Sequence, residues 1–230
     1  MGVKQNYRKY RLADIKNNLD RAGFQPLDIM VTGVTGAGKS TTLNALFQKQ
    51  VAVVGEGVAP ETMDVSYYSL NKYFRIWDTP GLGDNVEKDR IHKEKIISLL
   101  KDTWETELHT YGFIDMALVL VEGINRDMGT TYTLLNEAII PYIQSDRIFV
   151  AINQADVAMK NRHWDAVSNQ PDTQLLQFLN EQAHSIQRRV WESTGVCIYL
   201  PVFYSAKYGY NIDKLLDFII DYMPTERRKI

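Results

Sequence analysis

The sequence predicts an α/β protein with a mostly parallel sheet covered by helices on both faces. Two observations carry that prediction. Apolar runs of strand length, "LDIMVT" at 27–32, "DMALVLVEG" at 115–123 and "DRIFVAINQAD" at 146–156, alternate with helical patterns. Strands buried on both faces read as such continuous runs, and their alternation with helices argues for parallel pairing. The second observation is a glycine-rich turn, Gly33 to Ser40, set between the first apolar run and a helical pattern.

The elements follow in order. Leu12, Ile15, Leu19 and Ala22 recur at helical spacing, so a helix is expected over 4–22, closed by Gly23. Residues 1–25 then read as a helical extension and 26–230 as one domain. A helix is expected from about Lys39 to Gln48. The glycine-rich "VVGEGVAPETMD" and a two-strand stretch, "VSYYSLNKYFRIWD", turning at Asn71-Lys72, come next. A charged helix over about 87–102 precedes the second apolar run. "TTYTLLNEAIIPYI" reads as a helix interrupted by Pro141. The polar run 161–172 leads to a long helix, about Thr173 to Thr194. "CIYLPVFYSAK" at 197–207 is the last strand expected, and "NIDKLLDFIIDYM" the last helix.

Bulk properties give no sign of several classes, without excluding nucleic-acid or ribosome binding. The net charge of −2 provides no global basic field for nucleic acid, a ribosome or an anionic membrane. The basic "ERRKI" at 226–230 reads as a solvated end, and the abrupt stop after Pro224 as a cut from a longer protein. The N-terminus has no apolar signal region, Asn6 breaks the myristoylation pattern that Met1-Gly2 begins, and no run approaches 18 apolar residues. Cys197, the single cysteine, forms no intramolecular disulfide and reads as a buried thiol in a reducing, cytoplasmic setting. His92, His109, His163 and His184 have no metal-ligand spacing and read as solvated or core residues.

Four motifs carry chemistry. In the first, Gly33, Thr35, Gly36, Ala37 and Gly38 form a tight loop whose N–H groups face inward at a helix N-terminus, a phosphate cradle. Lys39 would reach the β and γ phosphates, Ser40 would bind Mg²⁺, and Thr41 would offer its N–H to the α-phosphate. In the second, "DTPG", Asp78 ends an apolar strand as the carboxylate partner of Ser40 for the metal, and Gly81 would offer its N–H to a γ-phosphate. The third is "NQAD". Asp156 would accept from guanine N1–H and the 2-amino group, an edge adenine lacks, with Asn153 and Gln154 beside it. The fourth is Ser205-Ala206-Lys207, where the Ala206 N–H would meet the guanine oxygen.

The ordered set GxxxxGKS, DxxG, NQxD and SAK resembles the guanine-nucleotide-binding domain of the Era-like P-loop GTPases. The "GxTGxGKST" form is also similar to the septin and immunity-related branch, and the whole to small bacterial GTPases of the YfjP/YeeP type. Over about residues 27–223 the resemblance implies a three-layer α/β/α, Ras-like domain with one antiparallel strand. It also implies GTP and GDP as ligands, Mg²⁺, and hydrolysis of GTP by an in-line water. It further implies a first-switch threonine on the metal, for which Thr62 is the candidate; Lys39, Thr62 and Gly81 would then support catalysis.

Two departures bear on activity. Gln154 stands where many relatives carry a lysine, predicting a weaker tether to the phosphate loop. Leu82 stands where some carry a water-orienting glutamine, predicting slow intrinsic hydrolysis. Gly36 occupies the place of the asparagine in potassium-activated relatives. A missing group would then come from a homodimer, an activating protein, or a local residue such as Arg90 or Arg126.

Overall fold

A computed structural model describes residues 6–48, 67–83, 85–124 and 128–230. The helix expected over 4–22 is divided. A short turn at Tyr7–Lys9 precedes α1 (Leu12–Ala22), because Arg11 adopts a left-handed conformation, φ 44°. The chain then forms β1 (Leu27–Gly33), α2 (Lys39–Phe47), β2 (Tyr67–Asn71), β3 (Phe74–Asp78) and α3 (Val86–Lys101). A small hairpin, β4 (Thr103–Glu105) and β5 (Thr110–Gly112), leads to β6 (Met116–Glu122) and α4 (Gly129–Leu134). After β7 (Ile148–Asn153) comes a second hairpin, β8 (Trp164–Asp165) and β9 (Gln170–Pro171). α5 (Thr173–Thr194), β10 (Val202–Phe203) and α6 (Ile212–Asp221) complete it.

The main sheet runs β10-β7-β6-β1-β3-β2, all parallel except β2, which is antiparallel to β3. Alternation along each strand explains the three layers, since successive side chains point to opposite faces. Ile29 and Val31 of β1, Met116, Leu118 and Leu120 of β6, and Phe149 and Ala151 of β7 pack with α1, α2 and α6. Met30, Ala117, Val119, Val121, Val150 and Ile152 face the other way, onto α3, α4 and α5. This is the three-layer α/β/α arrangement.

Several expectations are corrected. The last strand spans two residues rather than 197–207, and Cys197 before it is exposed. The helix at α4 continues through wider turns over Leu135–Ile139, with Ile140 N–H reaching Leu135 O at 2.8 Å, five residues back. It stops at Pro141, which has no N–H to continue the ladder. The polar run 161–172 holds β8 and β9.

The largest correction concerns the C-terminal "ERRKI": Glu226, Lys229 and Ile230 are exposed as expected, but its two arginines are not. Arg228 is 1% exposed. Its guanidinium donates to Ile114 O (2.7 Å), Tyr142 O (2.8 Å) and Leu100 O (2.6 Å), the last a carbonyl at the negative end of α3. A Cβ on Gly112 would collide with that guanidinium, so glycine leaves the space it fills. Arg227 pairs with Asp28 and Asp115, both fully buried at the strand starts. Asp28 also accepts two bonds from Arg75 (2.6 and 2.7 Å) and one from Trp77 Nε1 (2.8 Å).

Burial pushes the Asp115 carboxyl up to about 6; Arg227 and Arg147 oppose the rise, as does the bond from Asp28 N–H, while the Asp28 carboxylate adds to it. In the unfolded chain an aspartate titrates near pH 4. The folded protein therefore holds this proton more tightly, so the contribution is full below about pH 4 and is lost as pH rises through about 6. We expect Asp115→Asn, which still accepts the Asp28 N–H, to gain stability relative to the parent between pH 4 and 6 and to show no further relative change above pH 7. Urea unfolding across that range checks this; parallel curves would refute it.

Candidate nucleotide-binding site

The carboxyl ends of β1, β3, β6 and β7 bring the motifs to one edge of the sheet. β1 delivers Gly33 at φ 146°, where a Cβ would run into the Leu120 carbonyl of β6. Gly38 caps α2 at φ 82°, and a Cβ there would strike Asn153 Nδ2. Gly36 (φ 91°) faces Glu122 at the end of β6, whose Oε1 lies 2.7 Å from where a Cβ would stand. The first bond of α2 is Thr42 N–H to Gly38 O at 2.9 Å, so the Ser40 and Thr41 amides have no acceptor one turn earlier. Lys39 Nζ donates to Gly33 O and Val34 O, both at 3.1 Å, and lies over the loop.

Asp78 ends β3. Burial raises its carboxyl above the ordinary range and the Lys39 ammonium lowers it. Thr79 fixes this end on β1, its N–H and hydroxyl donating to Val31 O at 3.2 and 3.0 Å. Gly81 lies against the phosphate loop; a Cβ on it would be 2.6 Å from Lys39 Nζ and 3.0 Å from Thr35 N. The Thr35 N–H itself donates to Leu82 O at 2.6 Å, so here it serves the chain rather than facing a ligand. The Leu82 side chain does not face the phosphates at all. It is 1% exposed in the core beneath α3 and α4, and Leu82 N–H donates to Gly33 O at 3.4 Å. Arg90 is held by Glu87 and Glu94 on exposed α3. Thr62 and Arg126 lie outside the described residues.

Asn153 ties three loops together. Its Nδ2 donates to Ala37 O at 2.9 Å, and its Oδ1 accepts the Ala206 N–H at 3.1 Å. The Ala206 amide expected to face a base oxygen is thus engaged by Asn153. Gln154, at φ 62°, donates from Nε2 to Gly36 O at 2.7 Å, so the neutral amide does reach the loop. Asp156 is 5% exposed, and its Oδ1 has no partner among the described residues. A buried carboxylate oxygen left in that state costs about 1–3 kcal/mol until a donor reaches it. Ser205 is buried and its Oγ accepts the Tyr208 N–H at 3.3 Å; the Lys207 ammonium lies over the Tyr208 ring. Trp164 of β8 packs against Tyr208 and Tyr210 on the other side.

Three participants were not singled out from sequence. Tyr204 bonds to the Thr42 hydroxyl at 2.8 Å beneath the phosphate loop, and complete burial raises its phenol. Glu122 had a signal, a carboxylate at a strand end beside β1. His92, read from sequence only as a solvated or core histidine, is half-buried and meets Gly81 O through Nδ1 at 2.5 Å, a contact that had no sequence signal. Among the described residues no cluster of His, Cys, Asp and Glu could by itself hold a metal. A cation at Ser40 and Asp78 would therefore need ligands from a phosphate as well.

A phosphate loop, a strand-end aspartate and a buried carboxylate at the third motif define a P-loop nucleotide-binding domain. The family described as "50S ribosome-binding GTPase" matches residues 28–184, more than half of the chain, and the chain belongs to that family. GTPase Der of Thermosipho africanus is 27% identical over 202 residues, covering 86% of this chain and 37% of its own. Septin-9 of Rattus norvegicus is 28% identical over 109 residues, covering 42% and 19%. The chain thus spans less than two fifths of these relatives' length. Among solved structures, Toc33 of Arabidopsis thaliana in complex with GDP and Mg²⁺ superposes with TM-score 0.58 at 16% identity over 98% of both chains. Era in complex with MgGDPNP and 16S ribosomal RNA nucleotides gives 0.54 at 19% identity, over 87% of this chain and 58% of that one. At these identities the likeness shows the fold, a Ras-like G domain.

A methyl group at Gly38 would displace Asn153 and strain a left-handed residue. Gly38→Ala should destabilise the protein by about 2 kcal/mol or more, counting left-handed strain and lost buried bonds. Chemical denaturation measures this; an unchanged midpoint would contradict the role given to Asn153.

Proposed function

We propose that this chain binds guanine nucleotides with Mg²⁺ and hydrolyses GTP, switching between triphosphate and diphosphate conformations. The observation that carries the reading is Asp156, a buried carboxylate with an unpartnered oxygen beside the Asn153 tie. Guanine presents two donors on one edge, N1–H and the 2-amino group, and adenine does not. Gln154 would lie along the purine face, and Ser205 and Lys207 would support the base loop. The amides of Gly36, Gly38, Ser40 and Thr41 would hold phosphate oxygens, while the Ala37 N–H, which donates to Val34 O at 3.2 Å, and the Lys39 ammonium would turn from their carbonyl partners to the phosphates. Ser40 and Asp78 would hold Mg²⁺, together with Thr62. Bound there, the ion would offset charge that builds on the phosphate oxygens.

Catalysis in this reading is positioning and electrostatics. Lys39 and the Gly81 amide stabilise the γ-phosphate, and no covalent intermediate forms. Because the Leu82 side chain is buried and Arg90 is engaged by two glutamates, neither orients the attacking water. Intrinsic turnover is therefore slow, about 10⁻³ s⁻¹ or below, and a second copy of the chain or a partner protein completes the site. Residues 26–230 act as the G domain and 1–25 as an extension, whose helix α1 packs on it through Ile15 and Leu19.

Asp156→Asn tests the base reading. An amide at 156 offers a donor where guanine also donates and suits xanthine, whose 2-position carries an oxygen. Two contacts at about 1–3 kcal/mol each predict a loss of GDP affinity of roughly 30-fold or more, with xanthosine diphosphate gaining in step. Titration with the two diphosphates measures it. GDP binding that is unaffected by the substitution would reject guanine selection by this residue.

A further inference from the structure

The Gly81 N–H assigned to the γ-phosphate belongs to the peptide with Pro80, and because glycine does not fix its own torsions, its direction depends on how the chain is anchored on the carbonyl side of Gly81. Three bonds restrain the chain just after its N–H. Leu82 N–H donates to Gly33 O, and Leu82 O accepts from Thr35 N–H. The third comes from outside the phosphate loop. His92, on α3, meets Gly81 O through Nδ1 at 2.5 Å. A carbonyl only accepts, so Nδ1 carries the hydrogen. Gly83 and Asn85, between Gly81 and α3, are also braced. Gly83 N–H donates to Asp89 Oδ1 at 2.8 Å, and the Asn85 side chain caps α3 by accepting Lys88 N–H at 2.9 Å. With these bonds made, Gly81 stands beside Lys39 Nζ and Thr35, at the end of the loop where a third phosphate would sit.

We propose that His92 is a positioning residue: its Nδ1–H bond to the Gly81 carbonyl holds the γ-phosphate sensor in its binding orientation and couples α3 to the presence of that phosphate. The proposal rests on the GTPase reading above and adds how its sensor is aimed. A diphosphate makes no contact with Gly81, so the bond discriminates between the two nucleotides rather than strengthening both. Loss of one such bond should lower triphosphate affinity relative to diphosphate by about 3- to 10-fold.

The test compares His92→Asn, which keeps a donor near the Nδ1 position, with His92→Leu, which has the same branched shape and no donor. GDP and a non-hydrolysable GTP analogue are titrated against each, with Mg²⁺ present. The expected result is a GDP affinity within about twofold of the parent for both, a triphosphate-to-diphosphate ratio reduced about 3- to 10-fold in His92→Leu, and recovery of the parent ratio in His92→Asn. An unchanged ratio in His92→Leu, or an equal loss in both variants, would overturn the proposal while leaving guanine binding intact. A parent protein that binds neither nucleotide would overturn the GTPase reading and this proposal with it. If denaturation shows that His92→Leu does not fold, His92→Ala replaces it as the donorless variant under the same criteria.

Discussion

The side chain of Asn153 is the constraint on which the rest of the site depends. It is one buried amide at the end of a central strand, and it uses both of its ends on other loops. Its Nδ2 reaches Ala37 O in the loop after β1, and its Oδ1 takes the Ala206 N–H in the loop after β10. Those loops come from strands that are not neighbours in the sheet, so this side chain adds a direct tie between them, beside the Tyr204–Thr42 bond beneath. Gln154 adds a parallel tie to Gly36. The phosphate cradle and the base loop are therefore bonded directly to each other, which lowers the ordering cost for a ligand that spans both.

The opposite edge of the sheet is held by a different device. Asp28 and Asp115 pair with Arg75 and Arg227 in a largely buried ionic layer at the strand starts, with Arg228 beside it on three backbone carbonyls. Buried pairs of this kind add little net stability against an apolar alternative, but removing one partner leaves a costly unpaired charge. The layer thus fixes register: Asp28 N–H on the Asp115 carboxylate aligns β1 with β6, and Arg228 ties α3 to that alignment. The binding edge can then carry the loops and polar groups that contribute least to folding.

Much of this was legible in the sequence, for local reasons. The runs at 27–32, 115–123 and 146–156 became β1, β6 and β7 because continuous apolar strands have one stable home between two helical layers. Gly33 and Gly38 were legible because only glycine fits where a Cβ would meet a neighbouring backbone carbonyl or Asn153. What was missed depends on distant partners. "ERRKI" reads as a free end until the carbonyls of Leu100, Ile114 and Tyr142 and the space over Gly112 are known. Leu82 reads as a failed catalytic position, whereas its backbone is used by the phosphate loop and its side chain by the core. The hairpins β4–β5 and β8–β9 are too short to show a period, and no spacing rule links His92 to Gly81.

The central claim is that a guanine base is selected at one end of the site while phosphates are held at the other. The most direct measurement is displacement of a fluorescent GDP analogue from the purified protein by GTP, GDP and ATP, with Mg²⁺ present. The account predicts that GTP and GDP displace the analogue, and that ATP needs roughly 30-fold more or fails, as expected for two lost donors at the Asp156 carboxylate. Equal displacement by ATP and GTP would contradict it, leaving a phosphate site with no choice of base.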